Sequence, residues 1–165
     1  MNKGAVIIPA RYESSRFPGK PLADIQGKPI IQHVFQKCAD EVGSSNVYIA
    51  TDNSLIKEAS ELFGSQVIMT STEALTGTDR LAEANIVLDL DFVVNVQGDE
   101  PMASSDDIKM IYELMKKNTT NILNCYCDLS NDELLSPTIP KVIISNSGRL
   151  HYMTRGGAPF DKNGN

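Results

Sequence analysis

The chain is predicted to fold as an α/β protein, with a mainly parallel sheet and helices on both faces. Three observations lead there. Short, nearly continuous apolar runs alternate with amphipathic segments, the pattern of strands buried on both sides and joined by crossover helices. Helix-starting and helix-ending residues fall between those segments, at Pro29, at 51–54 and at Gly64. With 165 residues, 41% hydrophobic and 22% charged, the composition suits one domain with a sizeable core.

The elements follow in order. Residues 5–8 read as a first buried strand. Pro29 opens a helix on which Ile30, Ile31, Val34, Phe35 and Cys38 share a face. Residues 47–50 form a second strand, and Thr51-Asp52-Asn53-Ser54 can cap the helix carrying Leu55, Ile56, Ala59 and Leu62. A third strand at 67–69, a helix at 79–88 and a fourth strand at 92–96 come next. Residues 104–117 make an amphipathic helix, with Ile108, Ile111, Tyr112 and Met115 at helical spacing behind an acidic start. Further strands are expected at 122–127, 141–144 and 150–153. No repeat, low-complexity segment or linker interrupts residues 1–165, which are read as a single domain.

Charge and cysteine usage narrow the function. A net charge of -6 argues against a general nucleic-acid binder, which would carry a basic face. No apolar run approaches membrane-spanning length and no secretory signal is visible, so no membrane partner and a cytoplasmic location are expected. Cys38 sits on a helix face, while Cys125 and Cys127 alternate on one side of the expected strand. All three read as buried thiols, not as a zinc site or disulfide framework. His33 and His151 have no evident nucleophile to serve and read as surface or structural residues.

Three segments carry chemistry. After the first strand comes Pro9-Ala10-Arg11-Tyr12-Glu13-Ser14-Ser15-Arg16-Phe17-Pro18-Gly19-Lys20. Such a loop can grip a polyphosphate, backbone N–H groups making short contacts while Arg11, Arg16 and Lys20 supply charge. It lacks the spacing of a Walker A loop, and its bland reading is a solvated basic surface loop. The second segment is Asn95-Val96-Gln97-Gly98-Asp99-Glu100-Pro101. An Asp just past a strand, with glycine before it, can approach a metal closely. Asp99 is therefore the candidate ligand for Mg²⁺, which takes one or two carboxylates plus phosphate oxygens. Glu100 would orient water or hold the turn. In the third segment, Gly77-Thr78-Asp79-Arg80 opens a helix whose positive end faces the strand termini. Arg80 could hold a carboxylate through paired hydrogen bonds, or could simply pair with Glu73 or Glu83.

The first loop together with the unbroken Asn-Val-Gln-Gly-Asp-Glu-Pro stretch resembles the CMP-Kdo synthetases (3-deoxy-manno-octulosonate cytidylyltransferases). The resemblance runs from Gly4 to about Phe160, through Ala50-Thr51-Asp52 and Lys141-Val142. It implies a Rossmann-like nucleotide-diphospho-sugar transferase fold. It also implies transfer of a cytidylyl group from CTP to a 3-deoxy acid sugar, releasing pyrophosphate, for lipopolysaccharide or capsule synthesis. In that reading Arg11, Arg16, Lys20 and Asp99 are catalytic, and Asp99 holds Mg²⁺. Pro9, Ala10, Ser15, Thr70 and Ser71 join the three cations in binding the nucleotide, and Arg80, Gln97 and Arg155 bind the sugar. A homodimer is implied for the full-length family form.

Some positions depart from the family. Many members carry a basic residue where Ser71 stands and a histidine where Ala74 stands, and this chain looks more like the branch acting on 8-amino-Kdo. The family's Tyr-Phe-Ser-Arg is here Tyr152-Met153-Thr154-Arg155, followed by Gly156-Gly157. Members continue through a Leu-Glu-Gln-Leu-Arg helix and a Val-Asp-Thr motif whose Asp is a second metal ligand. Residues 1–165 are thus expected to form a truncated version of the fold that binds CTP and turns over slowly or not at all. Alternatives are another acid sugar, including a sialic-type one, or a catalytically weak nucleotide-binding relative or fragment.

Overall fold

The computed structural model describes residues 2–13, 17–117 and 122–156. In chain order these form β1 (Gly4–Ala10), a 3-10 turn over Lys20–Leu22, β2 (Asp24–Ile25), β3 (Lys28–Pro29), α1 (Ile30–Val42), a second 3-10 turn over Ser44–Asn46, β4 (Val47–Thr51), α2 (Ser54–Leu62), β5 (Gln66–Met69), α3 (Gly77–Leu88), β6 (Phe92–Asn95), α4 (Ser105–Lys117), α5 (Asn131–Leu134), β7 (Lys141–Ile144) and β8 (Leu150–Thr154). Two compact units divide the chain, Met1–Leu123 and Asn124–Asn165.

The first unit is built on a four-stranded, wholly parallel sheet in the order β5-β4-β1-β6. Side chains alternate across β1, and that alternation sorts the core into two layers. Val6, Ile8 and Ala10 pack with Ile31, Val34, Phe35 and Cys38 of α1, Ile56 of α2 and Ile108, Tyr112 and Met115 of α4. Ile7 points the other way, into a smaller cluster with Ala50 and with Leu81 and Ala84 of α3. Helices therefore cover both faces, as the apolar strand pattern predicts.

Strand order fixes where a ligand can enter. From β1 the chain moves outward to β4 and β5, then returns to place β6 on the far side of β1. The order thus reverses at β1, and the crevice beyond the carboxyl ends of β1 and β6 lies at that switch point.

Most helix boundaries follow local chemistry. Asn53 caps α2, its Oδ1 accepting from Leu55 N–H (2.9 Å) and Ile56 N–H (3.4 Å). Thr76 and Asp79 form a reciprocal capping box, so α3 begins at Gly77, two residues earlier than its apolar pattern suggests. Pro29 is the cap of α1 and not its first helical residue. The small β2–β3 hairpin was not expected; Gln26 (φ 54°) and Gly27 (φ 82°) supply the two positive φ angles its tight turn needs.

In the second unit β7 and β8 pair antiparallel, at the positions the sequence indicates. The expected strand at 122–127 does not form, for residues 122–130 take no ladder. Ile122 is fully exposed, and Cys125 and Cys127 are exposed too, which corrects their reading as buried thiols. Both border a hollow of about 500 Å³ with Val142, Ile144 and Met153. Cys38 is buried as expected, and burial pushes its thiol up to about 12. His33 ties its Nε2 to the Ile25 carbonyl at 2.8 Å, and His151 is exposed on β8.

Thiol labelling tests this arrangement. At neutral pH, Cys125 and Cys127 should react promptly with an alkylating reagent, while Cys38 reacts only on unfolding. Mass spectrometry of the labelled peptides reads the result directly. The Cys38 thiol ionises near 9.0 when unfolded and near 12 when folded, so its contribution is complete below pH 9.0 and lost as pH rises towards 12. Cys38→Ala should therefore flatten the alkaline decline in urea-unfolding stability over that window.

Candidate functional site

A cleft opens at the switch point, with two lobes that share Pro9, Ala10, Arg11 and Gln97. One lobe, of about 300 Å³, is closed by Ala74, Leu75, Thr76, Gly77 and Arg80. The other, of about 380 Å³, is closed by Phe17, Lys20, Pro21, Gly98 and Asp99. The ends of β1 and β6 form the common floor, and each lobe takes its outer wall from a different loop.

The floor depends on a close backbone approach. Gly98 N–H donates to the Pro9 carbonyl at 3.3 Å. A Cβ on Gly98 would lie 2.9 Å from that same oxygen, closer than a methyl group can sit without moving the backbone. Glycine at 98 therefore holds the Gln97–Asp99 turn against the end of β1. Gln97 is fixed in turn by a hydrogen bond from its Nε2 to Asn95 Oδ1 (3.1 Å).

In the second lobe Lys20 Nζ donates to Asp99 Oδ2 at 2.7 Å, the side chains being 39% and 45% exposed. The Lys20 backbone is anchored. Gly19 takes a left-handed conformation (φ 70°) and donates to the Tyr12 carbonyl at 2.8 Å, and Pro21 is buried. Arg11 lines both lobes. Ser15 and Arg16, two of the phosphate-binding candidates, lie outside the described residues.

The first lobe is held from behind by Arg80. This residue is only 3% exposed, and its Nη2 donates to Asp52 Oδ2 at 2.7 Å, where the Asp52 side chain is 18% exposed. Its Nη1 donates to Thr70 Oγ1 and, at 3.5 Å, to the Ser71 carbonyl. Neither helical partner considered from the sequence is the one found. Glu83 instead accepts from Ser71 N–H at 2.7 Å, while Thr70 N–H donates to the Thr51 carbonyl at 2.9 Å. Thr70 and Ser71 consequently do not line either lobe; they join the lobe's wall to α3 and β4.

The structure therefore gathers Pro9, Ala10, Arg11, Lys20, Arg80, Gln97 and Asp99 around one cleft. Arg155 belongs to the second unit, where its carbonyl accepts from Lys141 Nζ at 3.0 Å. Among the described residues, no three His, Cys, Asp or Glu side chains converge to hold a metal ion. Asp52 is engaged by Arg80, and Asp161 lies outside the described residues. No described helix is long and apolar enough to cross a membrane.

Comparison with known proteins decides the family. A family model described as cytidylyltransferase matches residues 5–165. The chain belongs to the cytidylyltransferase family. It is 37% identical over 164 residues to 3-deoxy-manno-octulosonate cytidylyltransferase of Escherichia coli, covering 99% of this chain and 67% of that protein. It is 41% identical over 163 residues to 8-amino-3,8-dideoxy-manno-octulosonate cytidylyltransferase of Shewanella piezotolerans, covering 95% and 66%. A solved cytidylyltransferase, CMP:2-keto-3-deoxy-manno-octonic acid synthetase complexed with CTP, aligns with a TM-score of 0.85 at 36% identity, covering 98% of this chain and 67% of that one. The family and the fold are those the sequence motifs imply. The chain spans about two thirds of the length of these cytidylyltransferase relatives.

The buried ion pair makes a stability prediction. Asp52→Ala would leave the Arg80 guanidinium without its carboxylate, a loss on the order of 3 kcal/mol for a buried pair broken on one side. Arg80→Lys should not rescue the site, because one ammonium cannot bridge Asp52, Thr70 and Ser71 as a forked guanidinium does. Urea unfolding of both variants provides the measurement.

Proposed function

We propose that this protein transfers a cytidylyl group from CTP to 3-deoxy-manno-octulosonate or its 8-amino analogue, releasing pyrophosphate. One observation carries the reading. The two motif loops meet in a single switch-point cleft, in a chain that aligns at a TM-score of 0.85 with a synthetase complexed with CTP.

The chemistry needs positioning and charge neutralisation more than covalent help. The anomeric hydroxyl of the sugar attacks the α-phosphorus in line, and the bond to pyrophosphate breaks. Arg11 and Lys20, with Arg16 from the same loop, hold the β- and γ-phosphates and stabilise the leaving group. Pro9 and Ala10 form the floor under the nucleoside. Thr70 and Ser71 are held in place behind the lobe: Ser71 N–H donates to Glu83, Thr70 N–H to the Thr51 carbonyl, and Arg80 donates to Thr70 Oγ1 and the Ser71 carbonyl. The preference for CTP is proposed from the family resemblance. Gln97 faces the acid sugar. Arg80 serves by holding the pocket wall.

The donor set fits a hard divalent cation. Asp99 offers one exposed carboxylate oxygen pair beside a phosphate-binding lysine, and Mg²⁺ is commonly held by one or two carboxylates with substrate phosphates. Such an ion would neutralise charge developing on the leaving pyrophosphate. A homodimer is proposed by the same resemblance.

Titration calorimetry tests the assignment. CTP should bind more tightly than ATP or GTP, and Mg²⁺ should strengthen the interaction. Lys20→Ala should weaken CTP binding by about 1.5–3 kcal/mol, the worth of a charge-assisted contact, and leave CMP nearly unaffected. Equal affinity for all nucleotides, or equal losses for CTP and CMP, would contradict the reading.

A further inference from the structure

The Lys20–Asp99 pair joins two groups that the proposed reaction uses separately. Asp99 serves the metal, and Lys20 serves the phosphates. In the structure each is instead the other's partner, at 2.7 Å between Nζ and Oδ2. An ammonium at that distance neutralises the carboxylate charge that a divalent cation would use.

We infer that Lys20 and the divalent cation are alternative occupants of Asp99, so that arrival of the metal is what turns Lys20 towards the triphosphate. The inference rests on Asp99 being the metal carboxylate. Three features of the site support the exchange. Both backbones are anchored, that of Lys20 by the 3-10 turn over Lys20–Leu22 and that of Asp99 by the hydrogen bonds Gly98 N–H to Pro9 O (3.3 Å) and Glu100 N–H to Gln97 O (3.2 Å). Only the flexible four-carbon stem of the lysine has to move. Both side chains are more than a third exposed, and ion pairs in that setting are weak and easily displaced. The cleft that Lys20 would turn into is already open, lined by Arg11, Phe17 and Lys20 itself.

Energetic coupling follows. A metal that binds alone must displace Lys20 and leave its ammonium without a carboxylate. A metal that binds with a triphosphate displaces an ammonium that then meets a phosphate. Metal and triphosphate should therefore strengthen each other's binding by the same factor. The pair thus lowers metal affinity modestly when no triphosphate is bound, and less when one is.

The test uses Mn²⁺ as the probe, without nucleotide, and reads free Mn²⁺ by electron paramagnetic resonance at low ionic strength. Lys20→Met should bind Mn²⁺ at least about threefold more tightly than the parent, because a competing cation has gone. Asp99→Asn should bind it more weakly. In the Asp99→Asn background, Lys20→Met should have no further effect, which separates exchange at one carboxylate from a general change in charge. The inference is overturned if Lys20→Met binds no tighter than the parent, including the case in which neither binds. It is also overturned if the gain persists without the Asp99 charge. No nucleotide is present, so failure here is distinguishable from failure of the CTP assignment, which calorimetry with CTP decides.

Discussion

The contact between Gly98 and the carbonyl of Pro9 is the constraint from which the rest of the site follows. Parallel pairing sets β6 beside β1, from Gly4 opposite Phe92 to Ile7 opposite Asn95. Past that ladder the two chains would diverge if residue 98 carried a side chain. Glycine lets them stay together as far as the hydrogen bond from Gly98 N–H to the Pro9 carbonyl, and the Gln97–Asp99 turn then lies beside Ala10 and Arg11. Two segments almost ninety residues apart in sequence so become one cleft floor. The placement of Asp99, Lys20 and Gln97 around one cleft depends on that closure.

A second constraint acts from the opposite side of β1. Asn53 takes over the capping of α2, which leaves the neighbouring Asp52 carboxylate available to Arg80. The guanidinium then ties three segments together: the end of β4, the strand-to-loop turn after β5, and the first turn of α3. The loop that closes the first lobe is therefore braced by a buried charge pair and not by apolar packing. Leu75 at its tip is 84% exposed, in keeping with a wall held from its base. One lobe is rigidly framed through Arg80, while the other is bridged by an exposed and weak Lys20–Asp99 pair. The two halves of the cleft differ in the stiffness that a nucleotide would meet.

How much of this was legible in the sequence depended on the range of the interaction. Apolar strands and amphipathic helices announce themselves through neighbours in the chain, and β1, β4, β6 and α4 lie where periodicity places them. The Asn-Val-Gln-Gly-Asp-Glu-Pro stretch and the Arg11-to-Lys20 loop likewise identify the cleft. The partner of Arg80 could not be read, because it depends on register: Thr51 stands opposite Met69, which brings Asp52 alongside Thr70. The same limit explains the failed strand at 122–127. Cys125 and Cys127 have the alternation of a strand, but alternation without a ladder partner leaves them in water. The β2–β3 hairpin escaped notice because Gln26 is an unusual residue for a positive φ.

The central claim is that CTP occupies the crevice at the ends of β1 and β6. Backbone amide resonances followed during titration with CTP and Mg²⁺ would test it most directly. The account predicts that the largest shifts fall on Ala10, Arg11, Phe17, Lys20 and residues 97–99, with little change along α4. Shifts centred elsewhere, for example around the hollow bordered by Cys125, Cys127 and Met153, would contradict it.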